Sequence, residues 1–273
     1  MQTPKNITRY ACFGLLAVAS CATEAVDFSM SGYGTVGFAK SDQNVGYQRH
    51  INSAGGFRRD TVFGAQFNAQ FNDEWSATLQ TKLTSSPTVD HALQAAISWA
   101  FVSYRPTDDL LFRVGKLRIP FYLNSETADV GTTFASARLP IEVYGTAATT
   151  DFTGASFAKT WTMNENELTL DGYWGQANTS WRFYARDPNN VFPTGGAAGE
   201  FFVPLAIEAK GLRLNLQQGE NTFMAGMHYI DTRPRNGQSL GASTYIAAPA
   251  TGCAPIPPLH LSATTTVLLR IVC

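Results

Sequence analysis

Nine charged side chains have the types and the spacing that could give this chain a chemical role. Three of them, Arg113, Lys116 and Arg118, lie in one short segment, Arg-Val-Gly-Lys-Leu-Arg. Their chemistry would be electrostatic, because rings of charge in a narrow passage of low dielectric constant set which ions are preferred. The full set of candidates is Lys82, Arg113, Lys116, Arg118, Glu126, Asp129, Arg138, Glu142 and Arg213.

Covalent, metal and nucleotide chemistry have weaker signals. The four histidines, His50, His91, His228 and His260, are scattered, and none pairs with another ligand at a metal-binding spacing. Residues 32–37 match G-x-G-x-x-G, but that fingerprint requires a helix at its third glycine, and the polar residues that follow have no helical period. We therefore expect no catalytic residue, no metal site, no cofactor and no enzyme activity. A barrel enzyme that uses His228 is a weaker alternative, since His228 falls on the polar face of its segment.

Composition limits the remaining classes of function. The formal charge is −1, so the basic excess of a nucleic-acid-binding protein is missing. The body of the chain between Cys21 and Cys253 has no cysteine, which excludes a disulfide framework or a cysteine metal site there. No stretch reaches the roughly 18 apolar residues of a membrane-spanning helix. If this chain enters a membrane, we expect it to do so as strands.

Nine short runs between Phe28 and Tyr229 alternate apolar and polar residues. The clearest is Thr61 to Phe71, where Phe63, Phe67 and Phe71 share one face with alanines and the other face carries glutamine and asparagine. A strict period of two predicts strands rather than helices.

The gaps between the runs alternate long and short, with long connections at 39–60, 84–94, 119–151 and 176–206. Short turns on one side and long loops on the other are typical of transmembrane β-barrels. A β-sandwich also alternates, but it has no reason to sort its loops in this way. The predicted fold is an all-β, transmembrane antiparallel β-barrel, incomplete, with about nine strands.

Both ends of the sequence differ from this pattern. Residues 1–25 have the basic start, apolar core and small residues of a signal peptide, with cleavage predicted after Ala22 or Ala25. A lipoprotein box that ends at Cys21 is the alternative. Residues 243–273 are rich in proline and have no strand pattern, so we predict a tail outside the barrel that arises from a shifted reading frame or a truncation, with a genuine C-terminal domain as the alternative.

Several motifs together resemble the trimeric porins of Gram-negative outer membranes. Ser31-Gly32-Tyr33-Gly34 is similar to their first strand, and the segment from Arg113 to Pro120 to the end of their fifth. Residues 129–131 and 139–145 resemble the third loop, which in that family folds into the barrel and narrows the pore. The resemblance covers residues 27 to about 240. Porins of this type have about 16 strands, and this chain has fewer.

This resemblance implies a porin-like barrel over residues 26–242, with loop 119–151 as its constriction. It implies a homotrimer in outer-membrane lipid, exported by a cleaved signal peptide, that passes small hydrophilic solutes without catalysis. The nine candidate charges would then line the constriction, with basic residues on the wall facing acids on the loop. Strict alternation places Arg113 on one face of the strand and Lys116 and Arg118 on the other face. All three can therefore line the pore only if a bulge intervenes or the last two lie beyond the hydrocarbon band.

Two alternatives to the open pore stay available at this stage. One is a smaller barrel of 8 to 10 strands, a structural protein or adhesin whose lumen is filled by side chains. The other is a porin fragment without function, since an open sheet leaves strand edges unpaired in lipid.

Overall fold

The computed structural model describes residues 26–44, 51–86, 92–136, 139–144, 147, 149–185, 199–235 and 266–272. Within these residues the chain forms ten strands and two short helical segments. The strands are β1 (Asp27–Thr35), β2 (Val62–Gln70), β3 (Trp75–Ser85), β4 (Leu93–Thr107), β5 (Leu110–Arg118), β6 (Asp151–Met163), β7 (Asn166–Ala185), β8 (Gly199–Gln218), β9 (Asn221–Pro234) and β10 (Thr266–Val272). Between β5 and β6 lie a 3₁₀ turn (Gly131–Thr133) and helix α1 (Ile141–Tyr144).

The ten strands form a single antiparallel sheet in chain order. Each strand pairs with the next, from β1 with β2 through to β9 with β10. In the described part of the chain no ladder joins β1 to β10, so the sheet is open. The predicted architecture, all-β, antiparallel and incomplete as a barrel, is confirmed. No helix among the described residues is both long enough and apolar enough to cross a membrane.

The predicted alternation of connections is present from β1 to β9. The short ones are 71–74, 108–109, 164–165 and 219–220, and the longest described one is 119–150. The sequence explains the tight turns: Asn164 and Gly219 both have a φ of 56°, the left-handed conformation that asparagine and glycine tolerate best. In the first short turn, Asn72 Oδ1 accepts hydrogen bonds from the backbone N–H groups of Glu74 and Trp75, at 3.0 and 2.8 Å.

Two predicted boundaries differ from the structure. The connection predicted at 176–206 is wrong, because β7 continues to Ala185 and β8 begins at Gly199, with Trp181 opposite Val203 in an unbroken ladder. The structure also places Thr266–Val272 of the predicted tail in the sheet, beside β9. This segment is rich in the β-branched residues that favour strands. The predicted signal peptide, residues 1–25, and most of the predicted tail, residues 243–265 and 273, lie outside the described residues.

The two faces of the sheet differ sharply in polarity. On one face large apolar side chains are open to the surroundings, among them Phe28 with 74% of its surface exposed and Val114 with 63%. On the other face amides form a ladder: Gln80 Nε2 donates to Gln66 Oε1 at 2.9 Å, and Gln66 Nε2 donates to Asn68 Oδ1 at 3.1 Å. We call the first the outer face and the second the inner face. Contiguous apolar surface of this kind marks a membrane or protein contact.

A buried core lies on the inner face, between the strands and the start of loop 119–150. It joins loop residues to side chains of β5–β9, and several members are almost fully buried. Its members are Leu117, Ile119, Phe121, Phe152, Tyr173, Ile207, Ala209 and Ile230.

Glycines in register bring β5, β6 and β7 close together beside this core. Gly115 is opposite Gly154, which is opposite Gly175. A Cβ atom on Gly154 would lie 2.2 Å from the carbonyl oxygen of Trp174, so no other residue fits this backbone. Glycine in a strand commonly marks such a close backbone approach.

Candidate pore constriction

Loop 119–150 is fastened across the inner face rather than projecting away from it. At its neck, the N–H of Ile119 donates to the carbonyl oxygen of Thr150 at 3.0 Å. On one side Phe121 meets the ring of His228 in β9 edge-on, with the ring centroids 4.9 Å apart. On the other side a Cβ atom on Gly131 would lie 3.1 Å from Thr35 Oγ1 of β1. The loop therefore spans the sheet from its last strands to its first.

Asp129 is the central ionic contact of the loop. Its Oδ2 atom lies 2.7 Å from Lys82 Nζ of β3 and 2.5 Å from Arg118 Nη2 of β5. Arg118 is only 6% exposed, and its Nη1 also donates to the carbonyl oxygen of Ser125 at 3.1 Å. One carboxylate thus joins two wall cations from different strands to the loop.

The electrostatic balance at Asp129 favours the ionised form. Burial raises the pKa of this carboxyl group, while the charges of Lys82 and Arg118 and their hydrogen bonds lower it. The attraction prevails, and the pKa falls from 3.8 to about 2. The carboxyl group of Asp129 is therefore fully ionised at neutral pH, and its contacts with Lys82 and Arg118 are ion pairs.

Arg113 and Glu126 form a second, looser contact between wall and loop. Arg113 Nη1 lies 3.8 Å from Glu126 Oε1, and the glutamate side chain is 56% exposed. The Arg113 guanidinium also lies over the ring of Phe101, at 5.3 Å from its centroid. The ring contact restrains the arginine on the wall, while the glutamate remains open to solvent.

Arg213 of β8 pairs along the wall instead of with the loop. Its Nε and Nη2 atoms lie 2.9 and 2.7 Å from the same oxygen of Asp171, which is on β7 directly opposite. Asp171 is not among the nine predicted site residues. Its signal was present, since Asp171 falls on the polar face of the same run as Thr169.

Lys116 does not join the other candidates. Its Nζ atom lies 2.8 Å from Asp151 Oδ2 and donates to the carbonyl oxygen of Ile97 at 2.7 Å. Alternation correctly separates Lys116 from Arg113. Arg118 nevertheless reaches the loop, because it is the last residue of β5 and the chain turns there.

The remaining two candidates, Glu142 and Arg138, have no described ionic contact. Glu142 lies in α1, whose last residue, Tyr144, accepts a hydrogen bond at its hydroxyl from the N–H of Asn124 at 3.2 Å. Arg138 lies outside the described residues.

His228 is buried on the inner face, with 4% of its surface exposed. Its Nδ1 atom and the hydroxyl of Tyr173 share a hydrogen bond of 2.9 Å. Among the described residues, no group of three or more His, Cys, Asp or Glu side chains could hold a metal ion. The assembled site consists of opposed fixed charges, whose available chemistry is to orient and sort charged or polar solutes.

Comparison with known proteins gives a structural likeness only. No family model matches the chain, and no curated protein does. The fold is similar to that of OmpT, an outer membrane protein of Vibrio cholerae that was folded in vitro and solved in a trimer form. The sequence identity is 10% and the TM-score is 0.33. The match covers 78% of this chain and 67% of OmpT. The fold is also similar to a mutant of OmpT that lacks loop L8, with 10% sequence identity and a TM-score of 0.34. This match covers 78% of this chain and 71% of the mutant. Both TM-scores are below 0.5, so this likeness carries no information about function.

Proposed function

We propose that this chain is an outer-membrane porin of a Gram-negative bacterium that lets small hydrophilic solutes diffuse passively. The observation that carries the proposal is the bridge from Asp129 to Lys82 and Arg118, which holds a long loop across a polar inner face. A loop held there narrows the passage and places fixed charges beside it.

The contrast between the faces supports a membrane location. Large apolar side chains lie exposed on the outer face, and hydrogen-bonded amides lie on the inner one. In water such an outer face would be a serious aggregation hazard, whereas in lipid it is the favourable arrangement. Export by a signal peptide over residues 1–25 is part of the same proposal.

The proposed assembly is a homotrimer in outer-membrane lipid. It rests on the resemblance of the sequence motifs to trimeric porins. Its test is the molar mass of the detergent-solubilised protein by light scattering, where a monomer mass would remove this part of the proposal and leave the pore untouched.

Conductance in a planar lipid bilayer tests the proposed function. We expect the purified, refolded protein to produce discrete, ohmic steps in potassium chloride. Protein denatured by heating is the control and should give none. Repeated absence of steps from protein that is folded, as judged by circular dichroism, would refute the porin.

A second candidate is a small closed barrel without an open pore. The tenth strand favours it, because with an even number of strands β1 and β10 run antiparallel and could pair with each other. Loop 119–150 would then fill a narrow lumen. The same bilayer experiment separates the candidates, since the filled barrel would insert without conducting.

A further inference from the structure

A small cavity lies on the inner wall beneath the loop, with a volume of about 100 Å³. Such a cavity accommodates an oxyanion group. Its walls come from β4, β5, β6, β7 and β8 and from the start of the loop.

The residues that line this cavity include more bases than acids, although Arg118 also has a partner outside the lining, Asp129. The charged groups that line it are Arg113, Arg118, Arg213, Glu126 and Asp171, three cations against two anions. Asp171 already forms an ion pair with Arg213 through its Oδ2 atom. Glu126 is a weak partner, since it lies 3.8 Å from Arg113 and is largely exposed.

Several N–H donors around the cavity have no acceptor. Among the described residues, the buried atoms without a hydrogen-bond partner include Arg113 Nε, Arg118 Nε and Trp99 Nε1. Arg213 Nη1 has a thioether sulfur, Met224 Sδ, at 4.0 Å, and thioethers are weak acceptors. Buried donors are costly to leave unpaired, and charged ones more so. The unpaired atoms have almost no exposed surface, so an incoming oxygen would bind instead to the terminal nitrogens of Arg113 and Arg213, whose side chains are 35% and 17% exposed.

These donors are also held in place. Asp171 fixes the guanidinium of Arg213, and Phe101 lies under that of Arg113. Trp99 packs against Phe101 with the ring centroids 6.0 Å apart. Fixed, planar guanidinium groups are the donors that carboxylate and phosphate oxygens fit best.

We propose that this cavity is a binding site for small oxyanions, carboxylates or phosphates, and that it makes the pore selective for anions over cations. The proposal rests on the proposed function, because it names the solute class of the same passage. The wall cations provide the attraction, and the terminal N–H groups of the guanidiniums of Arg113 and Arg213 provide the preference for oxygen acceptors.

The reversal potential across a bilayer with a potassium chloride gradient tests the selectivity. We expect the wild-type protein to pass chloride in preference to potassium. Arg113→Gln should lower the chloride-to-potassium permeability ratio by about tenfold, because the loss of one positive charge that acts through water at about 6 Å disfavours chloride about threefold and favours potassium about threefold. The matched control is Lys159→Gln, which removes one cation on the outer face, where Lys159 pairs with Asp109 of a short turn. The ratio of this control should remain unchanged.

Inorganic phosphate tests the binding on the wild-type protein itself, independently of whether a variant folds. We expect phosphate to reduce the chloride current in a saturable manner, and Arg113→Gln to require a higher concentration for half the reduction. A protein that conducts but prefers potassium, or that phosphate does not affect, would overturn the oxyanion site and leave the porin intact. A protein that does not conduct would instead remove the proposed function.

Discussion

Asp129 shows how a single carboxylate can hold a loop of more than thirty residues in place. It is the one described loop side chain that contacts two wall cations, and those cations come from β3 and β5. Arg118 is nearly buried, so the loss of Asp129 would leave a cation without its partner in a poorly solvated place. Breaking such a pair from one side costs about 3 kcal/mol, more than the pair contributes in net stability.

Asp129→Asn should release the loop and raise the single-channel conductance. The same release should occur in the wild-type protein as the pH falls. Because the folded pKa is depressed from 3.8 to about 2, the ion pairs stabilise the docked loop fully above about pH 4 and lose this effect as the pH approaches 2. The measurement is conductance between pH 6 and pH 2 for both proteins.

The difference between the two proteins isolates Asp129 from other carboxylates that titrate in this range. The asparagine variant should be the more conductive above pH 4, and the two should converge near pH 2. Parallel curves over the whole range would mean that Asp129 does not hold the loop.

The sequence predicted the types of the site residues better than their partners. Lys82, Arg118 and Asp129 were all candidates, because charges on alternating runs and on a long loop are readable directly. Their convergence was not derivable from periodicity, since Lys82 and Asp129 are 47 residues apart and meet only through the path of the loop. Local alternation also placed Arg118 with Lys116, because it cannot foresee that the chain turns at the end of β5.

At the level of the strand, the apolar outer face determines how a substitution affects the stability of the membrane-inserted protein. Phe67 and Gln66 are neighbours in β2 but lie on opposite faces, the first 44% exposed on the outer face and the second within the amide ladder. Phe67→Arg should destabilise the membrane-inserted protein by about 2–4 kcal/mol, whereas arginine on a lumen-facing position is tolerated. The measurement is the free energy of unfolding from lipid vesicles by denaturant.

Gln66→Arg is the matched control, one residue away with the same new side chain. A soluble protein would show the opposite order, since arginine in place of an exposed phenylalanine is harmless in water. Equal effects of the two substitutions would contradict the assignment of the faces.

The register of glycines across β5, β6 and β7 makes a second prediction for the sheet. Gly154→Ala places a methyl group within 2.2 Å of one backbone atom and 2.6 Å of another, so the strands must separate. We expect a loss of about 1–3 kcal/mol, as for other overpacked sites, seen as a lower midpoint of thermal unfolding. Gly56→Ala has nothing within 4 Å of the new Cβ atom and should change the midpoint little.

Strand type and order were predictable, whereas strand length was not. Period-two alternation found the first nine strands because each has one apolar face. The C-terminal end of β7 and the N-terminal end of β8 were predicted as a loop. In the structure the ladder between these two strands continues there and pairs Trp181 with Val203. The segment from Trp181 to Arg186 does alternate, but the regular sorting of long and short connections favoured a long loop at 176–206 and outweighed this local signal.

For the whole molecule, the open sheet sets the main constraint. Removal of β10 would leave nine strands in the part of the chain that the structure describes, with β9 as the new edge. Unpaired backbone groups are not tolerated in lipid, and an odd sheet cannot pair its first and last strands in antiparallel fashion. We expect the chain shortened to residue 235 to yield less folded protein in vesicles than the full chain, measured by resistance to added protease. Equal yields would show that β10 contributes nothing to insertion.

The loop that crosses the inner face also has a consequence for the order of folding. It contacts β1 and β3, which precede it in the chain, and through Phe121 it contacts His228 of β9, which is translated much later. Contacts between distant parts of a chain form slowly, because the entropy of closing the intervening segment is lost before the contact forms. We therefore expect the strands to pair first and the passage to narrow last, so that a folding intermediate would be wider and less selective than the finished protein.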